Sequence, residues 1–399
     1  GSSTVTVKGT LTATTDQLNK IITLNDLAVD GAFTLAPDGT GAVTIVNAAG
    51  LNLAASTMGG TFSGTATTGN ITQSGALAIA GATTLVTSGQ GADIVLTTDT
   101  NAFTSQLLIT TNETGSDIDA DVSIDGGTTN LIIGTSTIDG NLTLLSGGTI
   151  TDTNSSTVTV KGTLSASTDA SASAITLNDL AVTGAFTLAP NSTGAVTIVN
   201  AANLILAAST MGGTFSGTAT TGDITQSGAL TITGTSTLVT SANHGTITLT
   251  NTGNALTGKL LITTNDDSPG TVGTVNIDGG TTNLIIGLST IDGNLTLRSG
   301  GTITDDGIAT VRGTLTATTD LNNKIITLDQ LAVTGAFTLA PDGTGAVTIM
   351  NAAGLNLAAS TMGGNFSGTA TTGDISDSGN LAITGASTFI TTANNRSII

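Results

Sequence analysis

Apolar residues in this chain come in pairs with one residue between them: Val5/Val7, Phe33/Leu35, Val43/Ile45, Leu51/Leu53, Leu77/Ile79, Ile94/Leu96, Leu107/Ile109, Val122/Ile124, Leu131/Ile133 and Leu142/Leu144. A spacing of two puts both side chains on one face of a β-strand, and the intervening Thr, Asn or Ala faces the other way. The segments are short and run into turn residues, as at Asp125-Gly-Gly, Asp139-Gly, Ser146-Gly-Gly and Asp342-Gly. The matched strand lengths that antiparallel hairpins need are missing. Equivalent segments return about every 18–20 residues (Leu35, Leu53, Ile71; Leu131, Ile150), which is the spacing of solenoid coils. The pattern predicts an all-β parallel β-helix, or β-solenoid, with three short strands and three turns per rung and aliphatic side chains inward.

A longer period is superimposed on this one. Ser3-Thr-Val-Thr-Val-Lys8-Gly-Thr-Leu11 returns as Ser156-Thr-Val-Thr-Val-Lys161-Gly-Thr-Leu164 and again as Ile308-Ala-Thr-Val-Arg312-Gly-Thr-Leu315. The copies read as 1–152, 153–304 and a truncated 305–399, with no Pro/Gly/Ser linker between them, hence one continuous solenoid. One rung cannot bury its own apolar face or satisfy its own backbone, and its neighbours do both. At about 4.8 Å per rung, a copy of about eight rungs measures roughly 40 Å. Phe33, Phe62, Phe186, Phe215, Phe337 and Phe366, with Leu35, Leu188 and Leu339, fall at matching places and are expected in the core. The chain opens and stops inside a repeat, so the expectation is an uncapped fragment of a longer rod. Its open strand edges would favour self-association, end to end or laterally into fibres.

Composition narrows the alternatives. Of 27 acidic residues all but Glu113 are Asp, a turn former rather than a helix former, alongside 53 Gly and only 4 Pro. Few prolines argue against a mucin-type stalk. A mean hydropathy of +0.33 with 9% charged residues argues against disorder. The net charge of −19 and eight scattered basic residues oppose binding to nucleic acid. No apolar run approaches the roughly 20 residues of a spanning helix, so no membrane insertion is expected in this segment. The absence of cysteine excludes disulfides, thiol nucleophiles and Cys-type zinc sites.

The segment Gly69-Asn-Ile-Thr-Gln-Ser-Gly-Ala-Leu-Ala-Ile-Ala-Gly-Ala-Thr-Thr-Leu-Val-Thr87 is repeated at 222–240. With Ile138-Asp-Gly-Asn-Leu-Thr-Leu-Leu-Ser-Gly-Gly-Thr-Ile150, it resembles the repeat arrays of filamentous-haemagglutinin-like giant bacterial adhesins, over essentially the whole chain. That resemblance implies a right-handed parallel β-helix, an extracellular or cell-surface location, and a spacer or adhesive role. It also implies secretion by a two-partner or autotransporter route, with other cell surfaces or glycans as partners. It brings no catalytic residues.

Candidate chemistry is sparse. His244 is the single histidine, and its counterparts are Gly91 and Asn395, so neither a triad nor a His-based metal site is supported. Alternating Asp117, Asp119 and Asp121, with Glu113 and Asp125 nearby, make the best place for Ca²⁺, an oxygen-seeking cation. The EF-hand pattern fails there, because Val122 stands where Gly is required, and a solvated acidic loop is the plainer reading. Regular Thr-x-Thr faces raise ice or crystal binding, but turns of variable length at 16–20 and 111–121 are expected to interrupt such a face. Near-identical units suit a spacer better than a single active site. The sequence therefore predicts a structural protein that is not an enzyme and needs no cofactor. A β-helical polysaccharide-acting enzyme or glycan-binding module and a cross-β matrix fibre are the alternatives.

Overall fold

The computed structural model describes residues 3–114, 119–153, 157–265 and 273–399. Among these there are short strands and turns and no helix. The strands pair in parallel along successive rungs, and the only antiparallel contacts among the described residues are isolated bridges at Ala102–Gly127 and Ala255–Gly280. The chain divides into two compact units, Gly1–Ala201 and Ala202–Ile399. Each is an all-β parallel β-solenoid.

In the first unit one ladder stacks nine strands, from Leu11–Thr14 through Phe33–Ala36 and Leu51–Leu53 to Phe186–Ala189. A second ladder runs from Val5–Val7 through Ile22–Val29, Val43–Asn47, Phe62–Ala66 and Thr83–Gln90 to Leu107–Asn112. The third face is made by Ser56–Met58, Leu77–Ile79 and Ala102–Phe103. Beyond Leu107–Asn112 the cross-section changes. That strand meets two short ones, Leu131–Ile133 and Ser136–Ile138, and the fork is gathered again by the eight-residue strand Ile175–Val182. The second unit repeats the scheme, with nine strands from Leu204–Leu206 to Ile375–Asp377 on the corresponding ladder. At about 4.8 Å per strand, either nine-strand ladder spans about 40 Å.

Some rungs keep the expected 18–20 residues and others exceed that length. Leu51 lies opposite Ile71, 20 residues on, Leu11 opposite Phe33, 22 on, and Ile94 opposite Val122, 28 on. The expected Leu131–Ile150 pairing is present, whereas Leu53 faces Phe33 and not Leu35. The slip is two residues, and because strand side chains alternate with a period of two, it leaves every inward residue inward. The eight-residue strands also exceed the three to five residues expected. Ile22–Val29 and its equivalents carry a bulge, between Leu24 and Leu27 in the first, which lets one strand turn a corner without breaking its ladder.

The interior is lined as the alternation requires. Phe33, Leu35, Phe62, Phe186, Leu188, Phe215, Phe337, Leu339 and Phe366 are each at most 1% exposed. Gly64 makes room for one of these rings, since a Cβ there would come within 2.7 Å of the Phe62 ring and 2.9 Å of Leu51. Polar residues that point inward replace backbone partners lost at corners. Asn47, Asn200 and Asn351 are fully buried. The Asn351 Oδ1 accepts from the Val333 N–H at 2.8 Å, and its Nδ2 donates to the carbonyls of Val333 and Gly354. Asn47 does the same for Val29 and Gly50. In the same way the hydroxyl of Ser56 accepts from the Leu35 N–H at 2.9 Å, and that of Ser360 from the Leu339 N–H at 3.0 Å.

Candidate functional site

Turn chemistry accounts for most of the residues that stood out in the sequence. His244 is exposed in a left-handed turn at φ 67°, and Gly91 and Asn395 hold the same conformation at φ 64° and 61°. Glycine and asparagine tolerate that backbone best, so this position is defined by its turn. Of the residues considered for Ca²⁺, Asp117 lies outside the described residues. Asp119 and Asp121 are exposed. The Asp121 Oδ1 accepts from the Asn141 N–H at 2.7 Å and from its side-chain amide at 3.0 Å. Asp125 points elsewhere, its Oδ1 accepting from the Gly127 N–H at 2.8 Å, and Glu113 is buried and accepts from Gln90. Among the described residues these groups do not converge, and none of the described His, Asp and Glu side chains gather as a metal-binding group of three.

Five of the eight basic side chains are held by carboxylates, at Lys8–Asp30, Lys161–Asp139, Lys259–Asp306, Arg298–Asp320 and Arg312–Asp292. Among the described residues no uninterrupted Thr ladder runs along the main ladder: its outward column in the first unit reads Asn52, Thr72, Val95, Ser123 and Thr143, whereas the second unit comes closer. Thr225, Thr248, Asn276, Thr296, Thr316 and Thr338 lie in register on successive rungs. The column keeps its register across the 28-residue rung from Ile247 to Val275. In the neighbouring column Asp278, Arg298 and Thr318 succeed one another.

That column forms the floor of the most distinctive surface feature, a groove of about 620 Å³ in the second unit. Asp278, Arg298 and Thr318 project outward because Ile277, Leu297 and Ala317 beside them face the core. Thr250 and Thr252 form a wall, on a turn anchored by Asn254, whose Nδ2 donates to the Asp278 carbonyl at 2.9 Å. Asp278 is 4% exposed, with its Oδ1 accepting from the Gly280 N–H at 2.8 Å. Its Oδ2 stands 3.7 Å from the Arg298 Nε, beyond hydrogen-bond range. The Arg298 Nε donates to the Asp320 Oδ2 at 2.7 Å. Burial pushes the Asp278 carboxyl above its ordinary range, against the opposing pull of the Gly280 N–H and of Arg298. The hydrogen bond to Asp320 raises Arg298 further. The first unit repeats the frame without the cation. There Asp125 lies opposite Leu145, which lies opposite Ser167, and Asp169 and Asp99 add to the burial that raises Asp125. This groove escaped notice in the sequence. The available signal was the one basic substitution in an otherwise copied strand, Leu142-Thr-Leu-Leu145 against Leu295-Thr-Leu-Arg298.

The stacked, self-copying rungs correspond to a known repeat. A family model described as repeats of unknown function (DUF5649) matches residues 40–110, 119–192, 193–263, 270–342 and 344–399. The chain belongs to this family. The DUF5649 unit is about half of the long period visible in the sequence. Its first and third matches begin 153 residues apart, and its second and fourth 151. Neighbouring units are related more distantly, as Leu51-Asn-Leu-Ala-Ala-Ser-Thr-Met58 is to Leu131-Ile-Ile-Gly-Thr-Ser-Thr-Ile138. No curated protein matches the chain, and no solved structure does.

Proposed function

We propose that this chain is a structural repeat region of a giant bacterial surface protein. In this reading it serves outside the cell as a stiff, non-enzymatic rod that carries an adhesive element or packs with copies of itself into a fibre. The observation that supports the reading most directly is the sameness of its rungs. Core positions, buried asparagines and turn types recur from copy to copy, so equivalent rungs of different copies can replace one another, as a spacer allows and a single active site does not. In the groove, the carboxylates of Asp278 and Asp320 are bridged by Arg298. A guanidinium between them opposes the acid–base division of labour on which glycoside hydrolysis depends.

Negative-stain imaging with sedimentation velocity tests this reading. Slender particles, either single or packed side by side, are the expected result. Single particles assign a spacer and ordered lateral packing a fibre subunit. Compact particles, or turnover of polysaccharide by the purified chain, would overturn it.

A further inference from the structure

We propose that the groove around Arg298 binds the vicinal hydroxyls of a neutral saccharide. Its volume, about 620 Å³, falls within the roughly 300–1,000 Å³ of small-ligand pockets. It brings together complementary groups. The Arg298 Nε is fixed on Asp320, which orients the guanidinium while its Nη1 and Nη2 make no hydrogen bond among the described residues. The Asp278 Oδ2, on a side chain only 6% exposed, has an approach to Arg298 too long for a hydrogen bond. A donor fork and a carboxylate acceptor side by side match a pair of adjacent hydroxyls, each of which donates once and accepts once. Thr250, Thr252 and Thr318 add hydroxyls around this pair. Charge selects the class of sugar. Two carboxylates and one guanidinium leave the groove net negative, and the chain carries −19 overall, so an acidic sugar is repelled and a neutral one is not. This binding is additional to the rod function and does not depend on it.

The first unit supplies a natural control, because Leu145 occupies the register position of Arg298 without disturbing the ladder. The variant Arg298→Leu should therefore fold. Isothermal titration and saturation-transfer NMR on the full chain would use cellohexaose, maltohexaose, mannohexaose and hexagalacturonate. At least one neutral hexaose is expected to bind wild type saturably. Arg298→Leu should weaken it by about tenfold or more, the effect of removing a charged hydrogen-bond donor, and Asp278→Asn should also weaken it. The proposal is overturned if no neutral hexaose saturates, if only hexagalacturonate binds, or if Arg298→Leu binds as wild type does.

Discussion

The buried asparagines offer the sharpest test of how the solenoid turns its corners. At the bulge between Leu328 and Leu331 the register shifts, and the backbone of Val333 meets the Asn351 amide in place of a strand. That amide satisfies three backbone groups, the N–H and carbonyl of Val333 and the carbonyl of Gly354, from a side chain with no exposure. Asn351→Leu keeps the volume and removes all three bonds. A buried polar group left without a partner costs about 1–3 kcal/mol. Allowing for partial relaxation and some gain from the added apolar surface, the loss should be about 3–6 kcal/mol.

In a repeat array that loss appears first as local opening. Amide hydrogen exchange at Val333 should accelerate at least about a hundredfold, since each 1.4 kcal/mol is a factor of ten, and the urea midpoint should fall. Asn351→Asp gives a second check with its own sign. The carboxylate keeps the acceptor for the Val333 N–H but sets an oxygen against two carbonyls, so the variant should regain stability as the pH falls and the acid is protonated. The reasoning is wrong if Asn351→Leu leaves the exchange of Val333 within about threefold of wild type, a change well under 1 kcal/mol.

Burial raises the carboxyls of Asp125, Asp152, Asp278 and Asp305 above their ordinary 3.8. The folded state then holds these protons more tightly than the unfolded one, so their contribution to stability grows as pH falls toward the unfolded value and is lost as pH rises through the folded one. Thermal midpoints should hold or rise from pH 7 to about 4.5, and a steady fall would contradict this assignment. Gly64→Ala should destabilise by about 1–3 kcal/mol through overpacking against Phe62 and Leu51, read by chemical unfolding; a neutral result would mean the ring has room to shift. His244→Gly should stay within about 1 kcal/mol of wild type, whereas His244→Val at the same left-handed turn should cost more than about 1 kcal/mol; equal melting temperatures for the two would refute the turn assignment. Asp121→Ala should cost about 1 kcal/mol by freeing the Asn141 N–H, and Ca²⁺ should leave the wild-type melting temperature unchanged; a calcium-dependent rise would restore the metal reading.

Much of the fold was legible in the chain because a β-rung is specified locally. Alternation at Phe33/Leu35 or Leu131/Ile133 states which side chains go inward, and the Asp-Gly pairs state where the strand turns. Errors of two residues in register were harmless to that reading, since they preserve the face. The registers themselves, the bulged eight-residue strands and the fork after Leu107–Asn112 depend on how much chain each turn absorbs. Only stacking settles that, because a turn outside the ladder can lengthen without moving a strand. The groove was decided in the same way. Thr250, Asp278, Arg298 and Asp320 are spread over 71 positions, and three of them bear on one another only because successive rungs place their outward residues one above another while the fourth leans in from a loop. Sequence determined the interior, where burial leaves few choices of side chain; tertiary structure decided the surface, where juxtaposition across rungs creates chemistry that no single rung contains.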